Sequence, residues 1–245
     1  MGRAQPFLHS DVRLARCDPE SGELARDEHG FVVPCADGEA GELLSRMTWR
    51  SLIAFESPPA HKTPPARIAH DAFRRGDRWF RTGDLLRRDQ DGYFYFVDRI
   101  GDSFRTQGIV VFTQEVAEVL NGAPGVTETN VFAVDIGDGP ARVGMAAVVL
   151  ERGAAFDPRA FYRTARSLPA AAQPVFMRVT PVMDVSGVLK QRKTELQRQG
   201  YDPTRITDPL YVRDDAAETY VPLTAAILAQ IQRGKWVVST APAAR

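Results

Sequence analysis

The sequence predicts an α+β fold in which a β-rich first part precedes a smaller domain of strands and helices. Residues 1–56 contain short apolar runs separated by glycine turns, and strands are expected at 31–33 and 41–44. In the second half, apolar runs of strand length alternate with segments of helical spacing, which is typical of helices packed against one sheet. We therefore expect two domains, residues 1–97 and residues 98–245.

The remainder of the first part combines a loop with less regular elements. Residues 57–65 are rich in proline and are expected to form a surface loop. Residues 68–75 have approximately helical spacing, so we predict a short helix there. The Asp91-Gly92 turn precedes an aromatic run at 93–97, and this combination predicts a strand.

The second half contains three segments with helix signals, separated by apolar runs. Thr113 is expected to cap the first helix, and Asp157 with Pro158 begins the second. Gly200 is expected to close the third. In chain order we predict a helix at 113–120, strands at 131–136 and 143–150, a helix that begins at 157–158, a strand at 175–183 and a helix at 190–199.

Composition and charge argue against several classes of protein. The 31 basic residues balance 31 acidic ones, and no basic stripe indicates a nucleic-acid partner. Two cysteines, Cys17 and Cys35, and four histidines show no metal-ligand spacing, so we predict no metal site and expect reduced thiols. No apolar run reaches membrane-spanning length, and no signal core is expected at the start. We expect a cytoplasmic protein, and peripheral contact with the inner face of a membrane stays open.

An acidic residue follows a tight turn at Thr82-Gly83-Asp84. The Asp84 carboxylate presents two acceptor oxygens, which suits the adjacent hydroxyls of a ribose. An Asp that only stabilises a turn has the same sequence pattern and is common. Taken alone, the tripeptide favours this structural interpretation.

A second motif places an arginine beside a glycine in the run Asp98-Arg99-Ile100-Gly101-Asp102. Arg99 offers a rigid fork of donors for hydroxyls or phosphate oxygens. Gly101 can adopt backbone angles closed to other residues, so the chain can swivel there. The alternative is a surface Arg–Asp pair beside a turn glycine, worth less than about 1 kcal/mol.

A third motif places Lys190 directly after a Ser-Gly turn and two apolar residues. A lysine ammonium is a mobile point charge that can neutralise a carboxylate and a phosphate during acyl transfer to phosphorus. A solvated basic helix face also explains the spacing of Lys190 and Lys193. Alone, this motif again favours the structural interpretation.

Together, the three motifs occur in the order found in adenylate-forming enzymes, and they most resemble the fatty acid transport protein and very-long-chain acyl-CoA synthetase family. R-T-G-D-L is similar to the ribose-binding motif of that family, with Asp84 as the carboxylate that binds the diol. D-R-I-G-D is similar to the hinge motif, which implies that Arg99 is the second ribose contact and that Gly101 and Asp102 form the hinge. The resemblance covers approximately residues 15–231.

The resemblance also implies roles for two residues after the hinge. S-G-V-L-K-Q-R-K is similar to the family's T-G-T-F-K-x-x-K, so Lys190 is expected to be the catalytic lysine that contacts the carboxylate and the α-phosphate during adenylation. Gly108 is expected in the loop that forms the face for CoA and thioester formation. In that loop, apolar Ile109 and Val110 replace the family's Glu-Asn pair.

The resemblance implies the fold of each domain and the reaction of the complete enzyme. Residues 1–97 would be the β-rich C-terminal edge of a large AMP-binding, adenylate-forming domain, and residues 98–245 would be the small α+β lid domain. The complete enzyme would be a fatty acid–CoA ligase that converts a fatty acid and ATP to an acyl-adenylate and then to acyl-CoA. ATP, Mg²⁺ and CoA are its expected substrates or cofactor.

The chain differs from the complete family pattern in what it lacks. It contains no Ser/Thr/Gly-rich phosphate loop ending in Pro-Lys and no Thr-Glu motif for adenine and magnesium. We therefore expect the isolated chain to be inactive, with a missing N-terminal domain as its partner. The alternative from another class is a non-catalytic, lid-like binding module that docks on a separate large-domain subunit. An unrelated α+β protein with chance motifs is the third interpretation.

Overall fold

A computed structural model describes residues 2–3, 12–47, 67–136, 141–181 and 189–236 of the chain, with the backbone alone at 2–3, 189–192 and 194. The chain divides into two compact units, Met1–Gly101 and Asp102–Arg245. The loop expected at residues 57–65 lies outside the described residues.

One antiparallel sheet organises the first unit. Its strands are β1 (Gly2–Arg3), β2 (Val12–Ala15), β3 (Ala40–Arg46), β4 (Ile68–His70), β5 (Arg78–Arg88) and β6 (Tyr93–Arg99). Their order is β1-β6-β5-β3-β2, and β4 pairs with β5 beside this path. Because β5 spans 11 residues, it pairs along its length with β3, β4 and β6. The buried apolar cluster of this unit comprises Ala15, Val32, Leu44, Ala69, Ala72 and Trp79.

Two strands of this sheet follow the sequence prediction, and a third predicted strand does not form. The strand expected at 41–44 lies within β3, and the aromatic run at 93–97 lies within β6. Residues 31–33 contribute only an isolated bridge between Arg26 and Val32. The predicted domain boundary after residue 97 falls inside β6, which continues to Arg99.

The helix predicted at residues 68–75 is wrong. Ile68–His70 is strand β4, and the chain then bends around the buried carboxylate of Asp77. This carboxylate accepts hydrogen bonds from three successive backbone N–H groups and from an indole, those of Ala72, Phe73, Arg74 and Trp79, at 2.6 to 3.1 Å. Because one acceptor collects these donors, the segment forms a tight bend where the spacing of apolar residues had indicated a helix.

The second unit contains a five-stranded sheet with helices on both faces and a separate hairpin. The hairpin is β7 (Phe104–Thr106) and β8 (Ile109–Val111), and the sheet strands are β9 (Val126–Asp135), β10 (Arg142–Leu150), β11 (Phe176–Val179), β12 (Leu210–Asp214) and β13 (Thr219–Pro222). The helices are α1 (Thr113–Leu120), α2 (Pro158–Ala165), α3 (Leu189–Gln199) and α4 (Ala225–Gln232), with a 3₁₀ turn at Ala170–Ala172. The sheet order is β13-β12-β11-β10-β9, and only the β10–β11 pair of this order is parallel.

Two apolar clusters cover the faces of this sheet. One contains side chains from α1 and α2, including Leu120 and Phe161, and the other packs Leu196 of α3 and Ile231 of α4. Strand β10 contributes to both clusters because its successive apolar side chains point to opposite faces. Ala146 and Val148 face the first cluster, while Met145 and Ala147 face the second. The sheet therefore has two buried faces, as the continuous apolar run of β10 indicates.

The helix starts of the second unit follow the sequence in one case and differ in another. The helix α2 begins at Asp157 and Pro158 as predicted, and the Asp157 carboxylate caps it by accepting hydrogen bonds from the backbone N–H groups of Arg159 and Ala160. The prediction that Thr113 caps α1 is wrong. Phe112 is the N-cap residue and makes no side-chain cap bond, while Thr113 is the first helical residue and is buried.

A lysine on α3 explains why the Thr113 side chain turns away from a capping position. The Lys193 ammonium donates to Thr113 Oγ1 at 2.6 Å and lies 3.2 Å from Asp102 Oδ2. The Lys193 side chain is only 12% exposed. It therefore ties α3 to the start of α1 and to the first residue of the second unit.

Truncation of a buried residue of α1 is expected to destabilise the second unit far more than truncation of its neighbour. Leu120 is fully buried and Val119 is 37% exposed. We expect Leu120→Ala to lower the free energy of unfolding by about 2 to 5 kcal/mol because it leaves a cavity in the core. Val119→Ala should change it by about 0.5 kcal/mol or less. Native-state hydrogen exchange of β10 amides measures both values, and equal effects would contradict the described packing.

Removal of the Lys193 charge is expected to destabilise the same unit. Lys193→Met leaves the half-buried Asp102 carboxylate without this cation, which should cost about 1 to 3 kcal/mol of unfolding free energy. The exposed Lys235 is the matched control, and Lys235→Met should change the value by about 0.5 kcal/mol or less. Urea denaturation followed through NMR signals of the second unit measures both values. A Lys193→Met variant with unchanged unfolding free energy would contradict a stabilising role of the Lys193 contacts.

Candidate functional site

The tripeptide Thr82-Gly83-Asp84 forms a bulge in the middle of β5. Leu44 of β3 pairs with Arg81 and Glu42 pairs with Leu85, so the three bulge residues lie opposite a single residue of β3. Gly83 has a φ of +78°, in the left-handed region that favours glycine. The bulge thus interrupts the regular alternation of β5 and turns Asp84 toward its other neighbour, β6.

Side-chain hydrogen bonds hold the bulge in shape. The Thr82 hydroxyl donates to the carbonyl oxygen of Leu43 at 2.8 Å and accepts from the Asp84 backbone N–H at 3.1 Å. This arrangement satisfies a β3 carbonyl that the interrupted ladder leaves without a regular partner. The conformation of the predicted diol-binding turn is therefore fixed by its own residues and by β3.

The structure brings the two predicted ribose contacts together. Asp84 of β5 and Arg99 of β6 are directly paired in the antiparallel register, and Arg99 Nε lies 3.2 Å from Asp84 Oδ1. Their side chains are 35% and 54% exposed, respectively. An exposed pair of this kind contributes less than about 1 kcal/mol to stability, so a ligand can replace its internal contact at little cost.

The predicted hinge residues lie at the junction of the two units. Gly101 is the last residue of the first unit and Asp102 the first of the second. Gly101 has a φ of +83°, and its N–H donates to the carbonyl oxygen of Pro19 at 3.0 Å. Asp102 contacts Lys193 within the second unit. Gly101 is thus held to the first unit through its backbone N–H, and Asp102 is held to the second unit through its side chain.

Gly108 lies at the tip of the β7–β8 hairpin. Gln107 and Gly108 both have positive φ angles, +49° and +80°, which is the conformation of a tight two-residue hairpin turn. The next residue, Ile109, is 54% exposed. The apolar replacement noted in the sequence therefore places a branched apolar side chain in solvent beside Gly108.

Lys190 lies in the first turn of α3, and its side chain is outside the described residues. The Ser-Gly turn that precedes it, at 186–187, is also outside them. Among the predicted site residues, the structure thus brings together Asp84 with Arg99 and places Gly101 next to Asp102. Lys190 and Gly108 belong to the second unit.

The cysteines have the environment of unreactive thiols. Both are free and half-buried, and burial raises the pKa of Cys17 to about 11 and that of Cys35 to about 12. The thiolate fraction near neutral pH is therefore very small.

In the described part of the chain, no group of three or more His, Cys, Asp or Glu residues could hold a metal ion. Within the same residues, no helix is both long enough and apolar enough to cross a membrane.

Sequence reasoning did not single out Glu42, which contacts the bulge from β3. Its carboxylate is 1% exposed and accepts hydrogen bonds from Arg81 and from the Gly83 N–H. The sequence signal is an acidic residue inside the short strand predicted at 41–44. An acid in a buried strand needs a partner, and that need could have marked Glu42 as unusual.

Comparison of the sequence with known proteins identifies relatives over nearly the whole chain. No protein-family model matches it. Long-chain fatty acid transport protein 6 of Mus musculus is 36% identical over 235 residues, which cover 94% of this chain and 38% of that protein. The very long-chain fatty acid transport protein of Cochliobolus heterostrophus is 38% identical over 222 residues, which cover 88% of this chain and 34% of that protein.

Comparison of the structure with solved structures identifies proteins of similar fold over most of this chain. The amide bond synthetase McbA from Marinactinospora thermotolerans covers 80% of this chain and 35% of its own, with a TM-score of 0.56 and 23% identity. ATP-bound MatB from Rhodopseudomonas palustris covers 80% of this chain and 36% of its own, with a TM-score of 0.54 and 22% identity. At these identities the likeness shows the fold alone, and it confirms the predicted α+β fold of an adenylate-forming enzyme.

The chain spans about a third of the length of the curated relatives that it matches. The resemblance found in three short motifs is confirmed, and this chain is similar in sequence to the fatty acid transport proteins over that third of their length.

Proposed function

We propose that this chain is the part of a fatty acid–CoA ligase that binds the ribose of the nucleotide and carries the mobile lid. The observation that carries the proposal is the pairing of Asp84 with Arg99 across β5 and β6, at a bulge that presents both side chains to solvent. Fatty acid transport proteins are its relatives by sequence, and adenylate-forming enzymes share its fold.

The paired side chains match the hydrogen-bonding needs of a ribose. Two vicinal hydroxyls donate two hydrogen bonds, and the Asp84 carboxylate has two oxygens to accept them. Arg99 has five N–H donors, so it can keep its contact with Asp84 and still donate to a ribose oxygen. The ribose is thereby held by one acceptor group and one donor group in fixed relative positions.

The complete ligase would perform two transfers, the first at the α-phosphorus of ATP and the second at the acyl carbon. In the first, a carboxylate oxygen of the fatty acid attacks the α-phosphorus of ATP, the bond to the β-phosphate oxygen breaks, and pyrophosphate leaves. In the second, the CoA sulfur attacks the acyl carbonyl carbon and AMP leaves. No protein nucleophile is needed, so catalysis depends on positioning and on charge stabilisation.

The lid residues divide between these two steps in our proposal. Lys190 neutralises the carboxylate and α-phosphate during adenylation, and Gly108 lies on the face that meets CoA. Rotation about Gly101 and Asp102 exchanges one face for the other. A left-handed glycine at the junction supports this assignment, because its backbone angles can change at low steric cost.

The isolated chain is expected to lack activity. Its sequence contains no Ser/Thr/Gly-rich loop ending in Pro-Lys that could cradle a triphosphate. The described residues offer no acidic cluster for Mg²⁺, so we assign no step to that ion and expect it to arrive with the ATP phosphates. A cytoplasmic location, with or without peripheral contact at the inner face of the membrane, stays a prediction.

A non-catalytic module that docks on a separate large-domain subunit is the second candidate. Ile109, which is 54% exposed at the hairpin tip, is the side chain through which such a module would contact its partner. This candidate predicts stable co-purification with a partner that carries the phosphate loop. It also predicts that Ile109→Ser abolishes that association.

A chimeric enzyme tests the ligase proposal directly. This chain would replace the aligned segment of mouse long-chain fatty acid transport protein 6, and ATP-dependent acyl-CoA formation from a long-chain fatty acid would be measured. We expect activity in the chimera and none in the isolated chain. Asp84→Asn should lower kcat/KM for ATP by about tenfold or more, because it weakens charge-assisted hydrogen bonds to the ribose.

Asp91 provides the matched control because it is an exposed acid in the turn between β5 and β6. Asp91→Asn should leave the kinetics of the chimera unchanged. Pyrophosphate exchange catalysed by the isolated chain would refute the expected inactivity. A chimera in which Asp84→Asn is as active as the parent would refute the ribose assignment.

A further inference from the structure

A carboxylate buried beneath the candidate ribose site has no role in the scheme above. Glu42 on β3 is 1% exposed, whereas burial of an ionised carboxylate is costly unless it is fully paired. Its Oε2 accepts from Arg81 Nε at 2.9 Å and from Arg81 Nη2 at 2.7 Å. Its Oε1 accepts from the backbone N–H of Gly83 at 3.1 Å. Both oxygens are therefore used, and each contacts a different part of β5.

These contacts hold the bulge of β5 at two points. Arg81 is the residue directly before the bulge, and Gly83 is its central residue. Arg81 also donates through Nη2 to the carbonyl oxygen of Gly22, so its guanidinium is fixed from a second side. The Gly83 N–H has a charged acceptor at the position where the left-handed turn occurs. Glu42 of β3 therefore fixes the conformation of the bulge in addition to the bulge's own hydrogen bonds.

Asp84 depends on these contacts of Glu42 because it is the next residue after Gly83. Its own N–H is held by Thr82, on the other side of the glycine. The direction of the Asp84 side chain, and so its 3.2 Å approach to Arg99, follows from the backbone angles of Gly83. A change at Glu42 would therefore reach the ribose contacts through a single peptide unit.

Stability alone does not account for this arrangement. A buried ion pair contributes little on balance, since the loss of hydration of two charges offsets most of their attraction. A regular β5 with an apolar residue in place of Glu42 would avoid both the buried charge and the bulge. The bulge also carries Asp84, whose exposed pair with Arg99 of β6 depends on the backbone geometry of the bulge.

We propose that Glu42 is a positioning residue for the ribose site: it holds Arg81 and Gly83 so that the bulge presents Asp84 beside Arg99. This inference rests on the proposed ribose-binding function of Asp84. Glu42 itself is too buried to touch the nucleotide, so its effect on binding must pass through Asp84.

A double-mutant cycle on the full chain tests this inference. AMP is titrated into the millimolar range, and the backbone amide shifts of Asp84 and Arg99 give its affinity. We expect Glu42→Gln to weaken AMP binding by about tenfold, since a neutral amide at position 42 loses a charge-assisted hydrogen bond from Arg81 or Gly83. In an Asp84→Asn background the same substitution should change the affinity by less than about twofold, because coupled residues do not act additively.

Hydrogen exchange of the Gly83 amide gives a second readout that needs no nucleotide. Glu42→Gln should make this amide exchange about tenfold faster while amides of the neighbouring strands keep their protection. Glu23, an exposed acid of the same unit, is the control, and Glu23→Gln should alter neither readout. If Glu42→Gln does not fold, Glu42→Asp replaces it, because its shorter side chain keeps the charge for Arg81 but retracts from Gly83.

Three results would contradict the inference in different ways. Unchanged AMP affinity in Glu42→Gln would overturn it, as would an equal loss of affinity with and without Asp84. An absence of any AMP effect on Asp84 and Arg99 in the parent chain would instead refute the ribose assignment of the proposed function. In that case, faster exchange of the Gly83 amide in Glu42→Gln would still support the conclusion that Glu42 holds the bulge. Unchanged exchange would overturn that conclusion as well.

Discussion

The pairing of β5 with β6 determines where the chemically useful side chains of the first unit lie. Antiparallel strands place each residue opposite one partner, and here the register sets Asp84 opposite Arg99. A regular β5 would send successive side chains to alternate faces without interruption. The bulge at residues 82–84 interrupts that alternation where Asp84 meets Arg99. Ribose binding in our account is a consequence of strand register.

Two acid–arginine pairs, each with one residue on β5, illustrate how burial separates a structural pair from one that a ligand can reach. Glu42 and Arg81 are 1% and 23% exposed, and both oxygens of the acid are occupied by β5 donors. Asp84 and Arg99 are 35% and 54% exposed. The first pair cannot open without stranding a buried charge, whereas the second can exchange its contact for a ligand. In our proposal the buried pair thereby fixes the position of Asp84 in the exposed pair.

The sequence allowed prediction of the fold class, and its short motifs singled out Asp84 and Arg99, which the structure pairs across β5 and β6. Their binding of a ribose stays a prediction. The sequence did not predict the bend around Asp77, where apolar spacing had suggested a helix at 68–75. It also misplaced the cap of α1, since Thr113 bonds to Lys193, 80 residues away in the chain. Glu42 escaped notice for the same reason, since its partner Arg81 is 39 residues distant. Contacts of this range depend on register and packing, which local patterns do not encode.

Recognition of a vicinal diol by Asp84 and Arg99 is the central claim, and a comparison of adenosine with 2′,3′-dideoxyadenosine tests it most directly. Both ligands would be titrated against the full chain while the backbone amides of these two residues are followed by NMR. Our account predicts shifts with adenosine that are lost with the dideoxy compound, because the carboxylate then has no 2′- and 3′-hydroxyl donors. Equal shifts with both nucleosides would contradict it, since the site would then recognise the base or nothing specific.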